Sequence, residues 1–136
     1  MKNLMTAEGL EYNDRRHTYN SRLAQEIGIW ADTQMGMEAI HDKFYQAYFI
    51  DGRNIGDIEA IIDVLKAIGL DEEEARAVLA ERRYKKAGDS DWAKSHSYGT
   101  TGVPTYVSNG QGVTGAQPYH VLQKLIHDVG AEKRHR

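Results

Sequence analysis

The sequence predicts a mostly helical α+β fold: a series of amphipathic helices, then a β-hairpin, then one closing helix. Three observations carry this. Apolar residues recur at helical spacing from about Asn20 to residue 98. The pattern then switches to period two, with Val103, Thr105 and Val107 alternating with Pro104, Tyr106 and Ser108. Asn109-Gly110 follows at once, the strongest short-range signal for a hairpin turn.

Taken in order, residues 1–17 show little periodicity, and Gly9 to Asp14 reads as a short extended piece and a turn. Leu23, Ile27, Trp30 and Ala31 share one stripe of a helix that begins near Asn20, with Gly36 as its stop. Ile40, Phe44, Ala47 and Tyr48 repeat the pattern over Glu38 to Ile50, and Gly52 ends it. After the loop Asp51 to Gly56, Asp57 is a good N-cap for a helix carrying Ile58, Ile61, Ile62, Leu65 and Ile68. Asp71 with Glu74 resembles a capping box, and acids at 71–74 suit the positive end of the helix that buries Ala75, Val78 and Leu79. A further short helix contains Trp92 and ends before Gly99, with Gly88 at or near its junction with the one before. Gly112 to Gly115 is the returning strand. Pro118 then opens a helix with Val121, Leu122, Leu125, Ile126 and Val129, closed by Gly130. Trp30, Phe44, Tyr48 and Trp92 are read as core.

Composition narrows the function. The 136 residues fit one domain, and 40% hydrophobic with 27% charged residues is ordinary for a globular protein. A net charge of −3 offers no footprint for nucleic acid. The basic tail Lys133-Arg134-His135-Arg136 reads as a solvated terminus. No apolar run reaches the ~18 residues of a membrane span, and no signal segment opens the chain, so a cytoplasmic location is expected. There is no cysteine, which removes disulfides, thiolate catalysis and cysteine-ligated metals. His120 and His127 are seven apart, too far along a helix for one metal. No nucleophile elbow and no phosphate loop is present. No metal, cofactor or catalytic residue is therefore expected.

Three segments carry a resemblance: Tyr48 to Asp57 (YFIDGRNIGD), Gly102-Val103-Pro104-Thr105, and Gly115-Ala116-Gln117-Pro118. In this order and at these distances they resemble the DsbA family of thiol–disulfide oxidoreductases, in particular its cytoplasmic FrnE-like branch. The resemblance implies a DsbA-like thioredoxin fold in which residues 18–98 are the helical insert and 103–129 the closing β-β-α unit. Its leading β-α-β unit, which bears Cys-x-x-Cys, has no counterpart in residues 1–136, so the thioredoxin fold is incomplete. A sister branch, the glutathione-dependent 2-hydroxychromene-2-carboxylate isomerases and kappa-class glutathione transferases, usually follows the Val-Pro turn with Gly-Gln-Asp-Arg. The Gly115-Ala116-Gln117-Pro118 of this chain favours the FrnE-like branch.

The resemblance further implies that Pro104 is cis and that Gly102, Val103, Pro104 and Thr105 form a substrate-binding loop, with the Val103 backbone offered to an extended peptide. Residue patterns alone leave Pro104 open to another reading, a proline at the start of an edge strand. Without thiols such a loop can bind but cannot transfer electrons. A two-stranded hairpin is marginal alone, so the strand at 103–107 needs a partner. Three arrangements would supply one: a homodimer through the 103–115 hairpin, a separate chain bringing the absent β-α-β unit, or a longer protein of which this is a piece. The homodimer is the expectation. A non-catalytic dimeric module that binds peptide or protein, and a relative of the glutathione-dependent 2-hydroxychromene-2-carboxylate isomerases, are the alternatives to a family oxidoreductase whose active half lies elsewhere.

Overall fold

In the computed structural model, which describes residues 2–14, 17–34 and 39–132, the order is α1 (Lys2–Ala7), α2 (Arg22–Ala31), α3 (Ile40–Tyr45), a π-turn (Gln46–Ile50), α4 (Ile58–Ala67), α5 (Glu72–Glu81), α6 (Lys85–Ser97), β1 (Thr105–Ser108), β2 (Gln111–Thr114) and α7 (Tyr119–Asp128). The chain divides into two compact units, Met1–Asp89 and Ser90–Arg136, and α6 runs across the division. The mostly helical α+β class expected from the sequence is the class observed. The expected stop at Gly36, the start at Glu38 and the basic tail at 133–136 lie outside the described residues. No helix among the described residues is long and apolar enough to cross a membrane.

The first unit is built on α2, α3, α4 and α5. Ile27, Ile40, Ile61, Ile62 and Leu65 are fully buried, and Trp30, Phe44, Val78 and Leu79 complete the core around them. At roughly 1.5–3 kcal/mol for each large aliphatic side chain, this cluster is the main stabilising term of the unit. Asp57 caps α4 by accepting from Ala60 N at 3.2 Å, and Asp71 caps α5 by accepting from Glu74 N at 2.7 Å. The loop before α4 is held by Asn54, whose Oδ1 accepts from Gly56 N. A Cβ at Gly56 would stand 2.8 Å from the Asn20 carbonyl oxygen, so the residue must be glycine for these backbones to meet.

Glu26 is almost wholly buried on α2, yet charged. Its carboxylate accepts from Arg82 Nε and Nη2, both at 2.7 Å, and from Arg22 Nε at 2.6 Å. Arg82 closes α5 in the left-handed region (φ 51°), where glycine is usual, and its bidentate grip on Glu26 offsets that cost. Arg22 also reaches Asp89 and the Lys85 carbonyl on α6.

Three expectations need correction. Residues 2–7 form α1, a helix that buries nothing and so leaves no stripe in the sequence. The helix expected through Ile50 widens after Tyr45 into a π-turn. Asp51 N reaches back to Gln46 O at 3.0 Å, and Asn13 N donates to Phe49 O, filling carbonyls the wider turn frees. Gly88 lies near the junction as expected, in the first turn of α6, where a Cβ would come within 3.2 Å of the Arg22 guanidinium. Trp92 is not core. It is 48% exposed, because every residue of α6 from Ser90 onward is solvent-facing.

Candidate functional site

Asn109 and Gly110 adopt φ of 45° and 75°, the pair of left-handed residues that a two-residue turn requires to match strand twist. The turn fixes the register: Thr105 opposes Thr114, Tyr106 opposes Val113, Val107 opposes Gly112 and Ser108 opposes Gln111. Pro104 and Gly115 stand five residues from the turn on either side, so the same register brings them together. Gly115 N donates to the Pro104 carbonyl at 2.7 Å. The two motifs at 102–105 and 115–118 are therefore one site.

The site holds itself in place. Thr105 Oγ1 donates to the Gly102 carbonyl at 2.5 Å and lies 3.3 Å from Thr114 Oγ1. Gln117 Nε2 donates to the Thr114 carbonyl at 2.9 Å. A Cβ on Gly102 would come within 3.3 Å of Thr114 Cγ2, so glycine there lets the loop close onto β2. The Val103–Pro104 peptide is cis. These bonds fix Gly102, Pro104 and Thr105, and Val103 is left standing out, 89% exposed. Among the described residues no hydrogen bond is made to its backbone.

The hydrogen-bonded pairing of Pro104 with Gly115 also sets which groups face outward. In an antiparallel ladder bonded and non-bonded pairs alternate. The N–H and C=O of Thr105 and Val107 therefore point away from β2, along a free edge. Tyr106 and Val107 are also exposed.

Of the expected site residues, the structure brings Gly102, Val103, Pro104 and Thr105 into one loop. The sequence reading missed Thr114, Gly115 and Gln117 as its supports. The signal was available: equal spacing of Pro104 and Gly115 about Asn109-Gly110. No Asp, Glu, Lys or Arg occurs from Gly99 to Tyr119, so the loop's own segment carries no carboxylate, ammonium or guanidinium group. Both His120 and His127 on α7 are exposed, and among the described residues no group of three or more His, Asp or Glu is placed to hold a metal. The arrangement can present backbone hydrogen-bonding groups to an extended chain. It holds no thiol.

The model of the DSBA-like thioredoxin domain matches residues 1–127. The chain is 30% identical over 94 residues to the uncharacterized protein YwbO of Bacillus subtilis (strain 168), a match covering 67% of this chain and 46% of that protein. It is similar in structure to the probable DsbA oxidoreductase SCO1869 from Streptomyces coelicolor, with a TM-score of 0.79 and 32% identity over 97% of this chain and 58% of that one. The chain spans about half the length of the relatives it matches.

Proposed function

The chain belongs to the DSBA-like thioredoxin domain family, and from that premise we propose that residues 102–105 are the peptide-binding loop of an incomplete thioredoxin fold. Residues 18–98 act as its helical insert and 103–129 as its closing β-β-α unit, within one DsbA-like domain. The loop holds extended polypeptide. With no cysteine in residues 1–136, the chain alone exchanges no disulfides. The redox pair belongs to a Cys-x-x-Cys-bearing β-α-β unit, which the relatives' unmatched length leaves room for. Gly115-Ala116-Gln117-Pro118 supports the FrnE-like branch and, with it, a cytoplasmic setting.

The observation that carries this reading is Val103: exposed, with no hydrogen bond to its backbone, on a loop pinned on both sides by Thr105 and Gly115. A rigid backbone with unfilled donors and acceptors suits main-chain pairing with a peptide. The test is a titration of the chain with a cysteine-free, unfolded peptide. Val103→Pro removes the N–H, worth about 1 kcal/mol or roughly a fivefold loss of affinity. Saturable binding weakened in this way supports the reading. Equal binding by both proteins refutes it.

A further inference from the structure

Two threonine hydroxyls converge on the peptide unit that carries the exposed Val103 N–H. Thr105 Oγ1 donates to the Gly102 carbonyl at 2.5 Å, and among the described residues no backbone N–H reaches that carbonyl. A hydroxyl has one proton to give. With its proton on the Gly102 carbonyl, Thr105 can only accept from Thr114, whose Oγ1 is 3.3 Å away. The direction of the chain of bonds is therefore set: Thr114 O–H to Thr105 Oγ1, then Thr105 O–H to Gly102 C=O. The Gly102 carbonyl and the Val103 N–H belong to one peptide unit. Among the described residues the only cis peptide is Val103–Pro104, so this unit is trans and planar. Its C=O and N–H point in opposite directions. A hydroxyl that grips the oxygen thus fixes where the N–H points, which is away from Thr105. Hydrogen bonds in series also polarise one another, by about 10–30% per bond, so a carbonyl that accepts makes the N–H of its own unit a better donor.

We infer that the Thr105 hydroxyl, backed by Thr114, aims and strengthens the Val103 N–H as the donor to a carbonyl oxygen of a bound extended polypeptide. Thr105 is thus a positioning residue that acts through Val103. This rests on the peptide reading of the loop. It does not depend on what pairs with the outer edge of β1, because both hydroxyls bond within the hairpin and its loop. If the residue served the strand alone, valine would do as well. Valine is branched at the same carbon and fits a pleated strand, but it has no proton for the Gly102 carbonyl.

The test compares Thr105→Val, which deletes the hydroxyl and keeps the branched shape, with Thr105→Ser, which keeps the hydroxyl. Amide NMR of the free chain gives the first readout. In Thr105→Val the Val103 nitrogen resonance should move upfield as the Gly102 carbonyl loses its bond. The Val103 order parameter should fall from about 0.85 toward about 0.6, while helical circular dichroism stays unchanged. Thr105→Ser should keep both signals near those of the unaltered chain. Titration with a cysteine-free, unfolded peptide gives the second readout. Thr105→Val should bind roughly threefold more weakly, a smaller loss than that of Val103→Pro, because the N–H itself remains. Thr114→Val leaves the Thr105–Gly102 bond in place and should move the Val103 signals the same way by less, which keeps a test available should Thr105→Val fail to fold. Unmoved Val103 signals or an unchanged affinity in Thr105→Val would overturn the inference. So would a Thr105→Ser chain that behaves like Thr105→Val, because the methyl group would then be the cause. An unaltered chain that binds no peptide would overturn the peptide reading and the donor's use with it, while the Val103 signals still decide whether Thr105 aims the N–H.

Discussion

Replacing Glu26 removes the buried charge on which two arginines of the helical unit converge. Its carboxylate is almost fully enclosed and accepts three hydrogen bonds from two guanidinium groups. Removing one side of a buried ion pair costs about 3–5 kcal/mol, because the other side is left charged and unpaired. Two features set the expected value at the low end. Arg82 is 38% exposed and can rehydrate, and Arg22 keeps Asp89 and the Lys85 carbonyl. Glu26→Ala should therefore cost about 3 kcal/mol, a fall in Tm of roughly 10 °C for a chain of this size. Glu26→Gln keeps one acceptor oxygen but turns an amide N–H₂ toward the guanidinium donors, and should cost about 2 kcal/mol. The pH dependence has a definite sign. Hydrogen bonds from Arg82, and then Arg22, hold the Glu26 carboxyl below its ordinary value of 4.5. Its contribution is therefore fully present above pH 4.5 and is lost as pH falls through the depressed folded-state value. The gap between the native chain and Glu26→Gln should be constant near neutral pH and close in acid. Urea denaturation followed by circular dichroism measures it. A loss below about 1 kcal/mol at pH 7, or a gap that widens in acid, would mean that Glu26 does not hold the two arginines as a buried carboxylate.

Two further substitutions probe how the helical unit is assembled. Gly56→Ala would drive a methyl to 2.8 Å from the Asn20 carbonyl oxygen, a backbone atom that cannot step aside, and should cost about 2 kcal/mol in urea denaturation. Asp57→Ala removes the N-cap of α4, whose inner face supplies Ile61, Ile62 and Leu65 to the core, and should cost about 1 kcal/mol in the same assay.

The parts of the fold legible in the sequence are those where burial imposes a period. The stripes of α2, α4 and α5 could be read because each helix faces the core on one side only. The hairpin could be read because Asn109-Gly110 allows few other structures. Where burial imposes nothing, the sequence is silent or misleads. No residue of α1 is buried, and α6 beyond Gly88 faces solvent, so neither shows a stripe and Trp92 is taken for core. The π-turn is invisible because Phe44, Ala47 and Tyr48 keep helical spacing through it, and the slip shows only in the backbone bonds, Asp51 N to Gln46 O and Asn13 N to Phe49 O. Glu26 is the instructive omission. It lies three residues after Leu23 and four before Trp30, on the buried stripe, and its charge hides that position. Its partner Arg82 is fifty-six residues away, a pairing no local pattern encodes. At the site, the loop 102–105 was recognisable as a motif, but its supports at 114–117 depend on register and emerge only when the hairpin is closed.

Amide hydrogen exchange at Val103, measured by NMR with and without a saturating cysteine-free peptide, reports whether the loop at 102–105 binds extended polypeptide through its backbone. In the free chain this N–H has no acceptor and should exchange at the rate of an exposed amide. On peptide binding it should be protected, while the amides of α2, α4 and α5 stay as they were. Binding that leaves Val103 unprotected, or that protects the helical unit instead, would place the peptide elsewhere than on this loop.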